Sequence, residues 1–168
     1  MHKTTREGRG ESGRKGKRSG VSASPLGCSS FKLRQLSRRV SQHFDHVVGA
    51  AGLKTTQYSL LTHVMRLEPV RPSDLAGEME MDASTLTRNL QPLIRAGWLE
   101  IGPGENGRSR CVTLTDTGRE KRAEAQREWK RAQIAFNELV GEARVAHLHE
   151  LIDECLAQMN AISETPKP

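Results

Sequence analysis

Four side chains able to hydrogen-bond to nucleic acid lie close together in the sequence: Ser84, Thr85, Thr87 and Arg88. The apolar residues that accompany them recur at intervals of three and four: Leu86, Leu90, Leu93 and Ile94. That spacing predicts a helix with one buried side, and it leaves the hydroxyl and guanidinium groups on or beside the opposite side. Short hydroxyl side chains and an arginine fit base edges and phosphates without blocking entry to a DNA groove. We therefore expect these four residues to contact the major groove and its phosphates.

Two further basic side chains, Arg108 and Arg110, follow in the segment GPGENGRSR. On either side of it, over 98–101 and 111–115, the residues alternate between apolar and polar as strands do. Gly102, Gly104 and Gly107 permit a loop that is too tight for larger side chains. An arginine on such a thin loop suits the narrow, negatively charged minor groove. We expect Arg108 to contact DNA from this hairpin, and Arg110 is the second candidate for such a contact.

The residues around these side chains indicate the elements that position them. Pro72 and Ser73 predict the start of a short helix, and Asp82 predicts the N-cap of the helix that carries the polar face, which we call the recognition helix. Two helices joined by a tight turn and followed by a hairpin form a winged helix-turn-helix, whose second helix reads the major groove. We therefore predict a mostly α fold with a small β-hairpin, in which residues 55–115 form the DNA-binding region.

Amphipathic helices are predicted before and after this region, over 26–54 and 116–162, and Asp116 is the predicted N-cap of the helix that follows the hairpin. Thr55 or Thr56 is the predicted N-cap of the first helix of the DNA-binding region. Their apolar stripes consist of Phe31, Leu33, Leu36, Val40, Phe44 and Val47, then Ala125, Trp129, Ala132, Phe136 and Leu139, then Val145, Leu148, Ile152, Cys155, Met159 and Ile162. A lone chain would leave these stripes partly in water, whereas a second copy would bury them. We therefore predict a homodimerisation region that sets two recognition helices roughly 34 Å apart on a short palindrome. A monomer whose helices fold onto its own core is the alternative.

The order of these segments resembles the MarR (multiple antibiotic resistance regulator) family of bacterial transcription regulators. The resemblance lies in SDLAGEMEMDASTLTRNLQPLIRAGWL and GENGRSRCVTLT, and upstream in KLRQLSRRVSQ and GLKTTQYSLL, and it covers roughly Cys28 to Met159. It implies a winged-helix homodimer that binds a palindromic operator, most often as a repressor. Two positions depart from the family pattern: Glu80 replaces a turn glycine, and Asn106 replaces the aspartate of an Asp-x-Arg motif in the hairpin.

The resemblance also implies a signal, either a small aromatic or phenolic anion or an oxidant. The residues expected to line a ligand cleft are His43, His46, Tyr58, His63 and Trp129, and ordinary packing is the alternative for each. Cys28 lies just before the first helix, where some oxidant-sensing relatives place a reactive thiol. The competing interpretation of Cys28 is an inert cysteine.

The composition bounds the class of protein. The 168 residues have a formal net charge of +6 and a pI of about 9.6, and the first 20 residues contain seven basic and two acidic side chains. We expect residues 1–25 to be a disordered basic tail, either solvated or binding phosphates non-specifically. The three cysteines are widely spaced, which favours a reducing cytoplasm over a disulfide framework. No apolar run is long enough for a membrane span, and the start lacks a secretory signal.

Other functional classes find little support in the sequence. No motif for metal binding, phosphate binding or nucleophilic catalysis is present, so we expect neither a cofactor nor an enzyme. A protein-interaction module without DNA binding remains an alternative, because residues 66–110 contain six basic and seven acidic side chains. Glu80 and Asn106, the two departures from the family pattern, also favour that alternative.

Overall fold

The computed structural model describes residues 27–104 and 109–163. Its six helices are α1 (Ser29–Val48), α2 (Thr55–Leu67), α3 (Pro72–Glu78), α4 (Ala83–Arg95), α5 (Asp116–Val140) and α6 (Glu142–Ser163). Two strands, β1 (Leu99–Pro103) and β2 (Arg110–Leu114), lie between α4 and α5, and a short 3₁₀ turn over Gly49–Ala51 follows α1. The mostly α fold with one hairpin is therefore confirmed. The predicted tail over 1–25 lies outside the described residues.

Several predicted helix starts are displaced by one or two residues. Arg71, rather than Ser73, is the N-cap of α3, and Lys54 rather than a threonine precedes α2. The side chain of Thr115 caps α5 by accepting a hydrogen bond from the Gly118 N–H at 3.0 Å, where Asp116 was predicted as the cap. Asp82 caps α4 as predicted. Arg71 and Lys54 make no side-chain cap bond, so these two helices begin without the capping residue that the sequence pattern indicates. At α5 two good capping residues are adjacent, and the Thr115 hydroxyl is held in place by its bond to the Gly97 carbonyl at 2.6 Å.

The hairpin is attached to the rest of the chain by an additional strand-like contact. In β1–β2 the register sets Leu99 opposite Leu114 and Ile101 opposite Val112. Val70, in the linker between α2 and α3, pairs with Val112 through N–H···O bonds of 2.8 and 3.2 Å. A single residue two positions before Pro72 carries no strand pattern, and so the sequence did not predict this pairing.

The apolar core divides into two unequal clusters. The larger joins α2, α3, α4 and the hairpin, and it contains fully buried side chains such as Leu61, Leu75 and Leu86. The smaller lies among α1, α5 and α6, and among the described residues its buried members are Phe44, Ala132, Phe136 and Val145. We call α2, α3, α4 and the hairpin the winged-helix part. This part therefore has a complete core within one chain, whereas the terminal helices α1, α5 and α6 do not.

Candidate nucleic-acid interface

The recognition helix α4 has a buried apolar side and an exposed polar side. Its buried side consists of Leu86, Leu90 and Leu93, each at most 3% exposed. Ser84, Thr87 and Arg88 are exposed, and Thr85 is half-buried beside them. Gln91 is exposed one turn farther along. The structure thus brings together the four side chains that the sequence singled out on α4, and leaves them accessible to a ligand the size of DNA.

Asp82 organises the first turn of this helix. Its Oδ1 accepts hydrogen bonds from the Ser84 hydroxyl at 2.6 Å and the Thr85 N–H at 2.8 Å, and its Oδ2 accepts from the Thr85 hydroxyl at 2.6 Å. These bonds, led by that from Ser84, hold the pKa of the Asp82 carboxyl far below its usual range. The sequence identified Asp82 as a cap. The pattern of Ser at +2 and Thr at +3 also signals that it would orient both hydroxyls.

The hydroxyl groups on this face have already donated their protons within the chain. Ser84 and Thr85 donate to the ionised Asp82, and Thr87 donates to the Ala83 carbonyl at 2.7 Å. A hydroxyl has one proton and two lone pairs, so each keeps the capacity to accept. Arg88 contributes donors, and its Nη2 lies 3.2 Å from the Thr85 hydroxyl. The arrangement therefore offers acceptors near the helix start and a cationic donor one turn later.

The turn between α3 and α4 is closed by a residue in the left-handed region. Glu80 has φ +50°, the only positive φ of a non-glycine residue in the described ranges. The chain closes through N–H···O bonds from Glu80 to Gly77 at 3.1 Å and from Met81 to Ala76 at 2.9 Å. This backbone conformation explains why glycine suits the position, and it shows that Glu80 preserves the turn at a cost in conformational energy.

The base of the hairpin loop is closed by a buried glycine. The Gly104 N–H donates to the Ser109 carbonyl at 2.7 Å. A Cβ at Gly104 would lie 2.8 Å from the Ser109 Oγ and 2.9 Å from the Cys111 Sγ, so a larger residue would displace the loop. Arg108, one of the two predicted hairpin contacts, lies outside the described residues, as does Asn106.

Arg110, the second predicted hairpin contact, lies beside the recognition helix. It is exposed at the start of β2, opposite Pro103. Together with Thr87 and Gln91 of α4 it lines a hollow of about 300 Å³ between helix and hairpin. A basic side chain on the hairpin and polar side chains on α4 therefore border one surface.

The predicted ligand-binding residues fall into separate places within one chain. Tyr58 is buried, and its ring centroid lies 6.1 Å from that of Trp129. His43 packs between aromatic rings, and its Nε2 donates to the Ala132 carbonyl at 2.9 Å. The Nδ1 of His63 lies 2.8 Å from the Ser59 carbonyl, and His46 is exposed. The structure thus pairs Tyr58 of α2 with Trp129 of α5, whereas His43 lies on α1 and contacts Ala132 and Phe136 of α5.

Cys28 is exposed and occupies the N-cap position of α1. Cys155 is also exposed, whereas Cys111 is buried on β2. All three thiols are free. Over 27–104 and 109–163, no group of three His, Cys, Asp or Glu side chains is arranged to hold a metal ion. Within those same ranges no helix combines the length and apolarity needed to cross a membrane.

A helix–turn–helix pair that packs against an antiparallel hairpin, with the polar side of its second helix exposed, defines the chain as a winged helix-turn-helix protein. A family model described as the MarR family matches residues 51–109, from the 3₁₀ turn after α1 to the residue before β2. Over these residues the chain is therefore similar to the MarR family of transcription regulators.

Individual proteins are similar to this chain in sequence or in fold. The uncharacterized HTH-type transcriptional regulator YwoH of Bacillus subtilis (strain 168) is 25% identical over 90 residues, which span 54% of this chain and 66% of that protein. The transcriptional regulator MosR of M. tuberculosis, solved in complex with DNA, superposes with a TM-score of 0.61 at 27% identity, covering 77% of this chain and 98% of MosR. The transcriptional repressor CouR, solved on a 23-mer DNA duplex, has a similar fold, with a TM-score of 0.71 at 21% identity over 77% of this chain and 92% of CouR.

Proposed function

We propose that this chain is a sequence-specific DNA-binding regulator that places α4 in the major groove. The observation that carries the proposal is the exposed polar face of α4 above three buried leucines. A helix with this division packs firmly on one side and offers hydrogen-bonding groups on the other. The similarity to MosR, a regulator solved in complex with DNA, supports the same use of the fold.

The donors and acceptors on α4 suggest a division of labour. The hydroxyl groups of Ser84, Thr85 and Thr87 already donate to acceptors within the chain. They would therefore accept hydrogen bonds from DNA, and the amino groups of adenine and cytosine are the matching donors. Arg88 suits guanine acceptors or phosphate oxygens. Arg108 and Arg110 would reach the neighbouring groove from the hairpin, where narrow A·T-rich sequence attracts arginine.

We further propose that the chain acts as a homodimer on a palindromic operator. Large apolar side chains of the terminal helices remain in water within one chain: Phe31 is 58%, Leu33 60%, Ile134 59%, Leu139 76% and Met159 65% exposed. Between α1, α5 and α6 lies an apolar groove of about 480 Å³. A soluble protein rarely leaves so large an apolar surface uncovered, and a second copy offers a matching one.

The output proposed is repression in the cytoplasm, relieved by a small aromatic or phenolic anion. The five candidate ligand residues lie on three helices: His43 and His46 on α1, Tyr58 and His63 on α2, and Trp129 on α5. A ligand bound there in the dimer would change the spacing of the two recognition helices and shift the population away from the DNA-binding state. Three free cysteines agree with a reducing compartment.

A salt titration tests DNA binding most simply. Affinity for a selected operator duplex is measured by fluorescence anisotropy over a range of salt concentrations. Phosphate contacts release counterions, so we expect log affinity to fall linearly with log salt, and to fall less steeply for Arg110→Ala. Arg131→Ala is the matched control, because Arg131 is exposed on α5 and pairs with Glu128 in the same helix. The absence of binding at low salt would favour the protein-interaction alternative.

A thiol-based trigger on the same scaffold is the second candidate. The observation that favours it is the exposed Cys28 thiol immediately before α1, where an oxidant can reach the sulfur. Attack of the Cys28 sulfur on hydrogen peroxide gives a sulfenic acid and releases water. Peroxide should then release DNA from the wild-type protein and from Cys155→Ser, but not from Cys28→Ser. Equal release from all three would exclude Cys28 as the trigger.

A further inference from the structure

The outer edge of β2 is covered by the linker that follows α2. Val112 and Val70 exchange two backbone hydrogen bonds across this edge, with N···O distances of 2.8 and 3.2 Å. In an antiparallel ladder the next pair that exchanges hydrogen bonds lies two residues along each chain, which here is Leu114 with Glu68. The Glu68 N–H is instead bonded to the Val64 carbonyl at 2.8 Å, where α2 ends. The Glu68 side chain takes the place of the backbone acceptor, and its Oε2 accepts the Leu114 N–H at 2.7 Å.

The other oxygen of the same carboxylate binds the first turn of α5. Glu68 Oε1 accepts a hydrogen bond from Nη1 of Arg119. The Glu68 side chain is 14% exposed and the Arg119 side chain 46%, so the ion pair is shielded at its acidic end. A carboxylate withdrawn from water depends on its donors, because the loss of either leaves it partly unsatisfied. One side chain therefore joins the end of α2, the outer edge of β2 and the start of α5.

The position of Arg110 depends on how β2 is held at its far end. A two-stranded hairpin alone is only marginally stable, so its attachments decide its angle against the rest of the chain. Leu114 and Arg110 lie at opposite ends of β2, roughly 13 Å apart at the rise of a strand. A tilt of about 10° at the Leu114 end would displace Arg110 by about 2 Å, which is more than the distance range of a hydrogen bond allows.

The opposite side of the hairpin has its own attachment to α5. The Gly97 carbonyl, just before β1, accepts hydrogen bonds from the hydroxyls of Thr115 and Thr117 at 2.6 and 3.0 Å. Loss of the Glu68 carboxylate would therefore leave the hairpin attached near Gly97 and free to tilt at the outer edge of β2. The expected consequence is a displaced hairpin rather than an unfolded one.

We propose that Glu68 is a positioning residue for DNA binding, which sets the angle of the hairpin against α5 and so the reach of Arg110. This inference deepens the proposed function and rests on it, because it assumes that Arg110 contacts DNA. Glu68 acts without touching DNA, since phosphates repel a carboxylate. Because α5 also packs in the smaller apolar cluster with α1 and α6, the same carboxylate ties the hairpin to the proposed dimerisation helices.

A double-mutant cycle tests this role. The dissociation constant for the operator duplex is measured by fluorescence anisotropy for Arg110→Ala in the wild-type background and in the Glu68→Ala background. The fold-loss caused by Arg110→Ala should be at least about threefold smaller when Glu68 is absent. The loss caused by Arg88→Ala should be equal in both backgrounds, because the leucine core holds α4. Glu68→Gln keeps an oxygen that can accept the Leu114 N–H, and it should recover part of the coupling.

Glu128→Ala is the matched control. The Glu128 side chain is 17% exposed and pairs with the exposed Arg131, but within α5 alone. It should leave the loss caused by Arg110→Ala unchanged. Equal losses from Arg110→Ala with and without Glu68 would overturn the positioning role. A matching change in the loss caused by Arg88→Ala would also overturn it, because Glu68 would then stabilise the whole fold instead of the hairpin.

Amide hydrogen exchange of the DNA-free protein separates this inference from the proposed function. Glu68→Ala should speed exchange over 110–114 and leave 83–95 unchanged, whereas Glu128→Ala should alter neither segment. Unchanged exchange over 110–114 would overturn the attachment by Glu68, whatever the DNA affinities. If Arg110→Ala does not weaken DNA binding in the wild-type background, the proposed contact of Arg110 is wrong, and the role of Glu68 in positioning it falls with that contact.

Discussion

At the scale of single residues, the first turn of α4 shows how a capping residue prepares neighbouring groups for binding. Asp82 accepts three hydrogen bonds from Ser84 and Thr85, and thereby fixes two hydroxyls that the proposed function uses as acceptors. A carboxylate close to DNA phosphates is electrostatically unfavourable, so its role is to orient rather than to bind. The residue that organises the surface is thus different from the residues that would touch the ligand.

Replacing Arg88 with Ala should relax the sequence preference at one operator position by about 1–3 kcal/mol, because a bidentate contact to a base is lost. Competition binding against a set of single-position operator variants measures this. Arg131→Ala should leave the preference unchanged. An equal loss on every sequence would show that Arg88 contacts phosphate only.

The stability contributed by Asp82 should depend on pH. Its folded-state pKa is depressed, so the ionised carboxylate stabilises the fold above the unfolded pKa of about 3.9, and this contribution is lost as pH falls below that value. The melting temperature of wild type should therefore exceed that of Asp82→Ala above pH 5, with a gap that narrows in acid. Asp82→Asn keeps a capping side chain without titrating. A difference in melting temperature between wild type and Asp82→Ala that widens in acid would contradict a stabilising role for the ionised Asp82 carboxylate.

At the scale of elements, two glycines in helices predict opposite responses to the same change. A Cβ at Gly118 would overlap the Trp98 carbonyl group, with the carbonyl carbon 2.8 Å away, whereas a Cβ at Gly77 meets nothing within 4 Å. Gly118→Ala should therefore destabilise the fold by about 1–3 kcal/mol through overpacking between α5 and the hairpin. Gly77→Ala should stabilise it by roughly 0.4–1 kcal/mol, because alanine is the better helix former. Urea denaturation measures both, and equal effects would contradict the close approach at Gly118.

The turn between α3 and α4 makes a further prediction. Glu80→Gly should raise the free energy of unfolding by about 1 kcal/mol, because glycine adopts positive φ without the steric cost that Glu80 bears. Glu80→Ala is the control, since it removes the carboxylate but keeps the Cβ. If alanine stabilises as much as glycine, charge rather than backbone conformation governs the position.

The sequence predicted the helices and strands better than the caps and contacts that connect them. Periodicity identified all six helices and both strands, because the buried leucines of α4 and the alternating residues of the hairpin leave strong patterns. It missed the pairing of Val70 with Val112, which involves one residue, and it misplaced the caps of α3 and α5. Those features depend on contacts between distant segments, such as the Leu114 N–H that donates to Glu68 at 2.7 Å.

The candidate interface was predictable in part for a similar reason. The polar face of α4 follows from helical spacing alone, and the structure places its four predicted side chains together. The hydrogen bonds that decide which groups remain donors depend on side-chain orientation, which spacing does not determine. The division of the chain into residues 26–54 and 116–162 for dimerisation and 55–115 for DNA binding stays a prediction.

At the scale of the whole molecule, a complete core and an incomplete one are joined in a single chain. The winged-helix part buries its leucines fully, whereas the terminal helices leave Phe31 and Leu139 more than half exposed. The proposed dimer completes the second core and, in doing so, fixes the separation of two recognition helices. Sequence preference and assembly are thereby linked, because a palindrome is recognised only when both helices are held at the right distance.

A half-site spacing series measures this central claim most directly. The selected half-site is placed twice on one duplex at centre-to-centre distances from about 8 to 16 base pairs, and affinity and stoichiometry are determined by anisotropy and sedimentation. We expect two chains per duplex and the tightest binding near one helical turn, about 10–10.5 base pairs, with marked weakening half a turn away. One chain per duplex, or an affinity independent of spacing, would contradict a dimer with two fixed recognition helices.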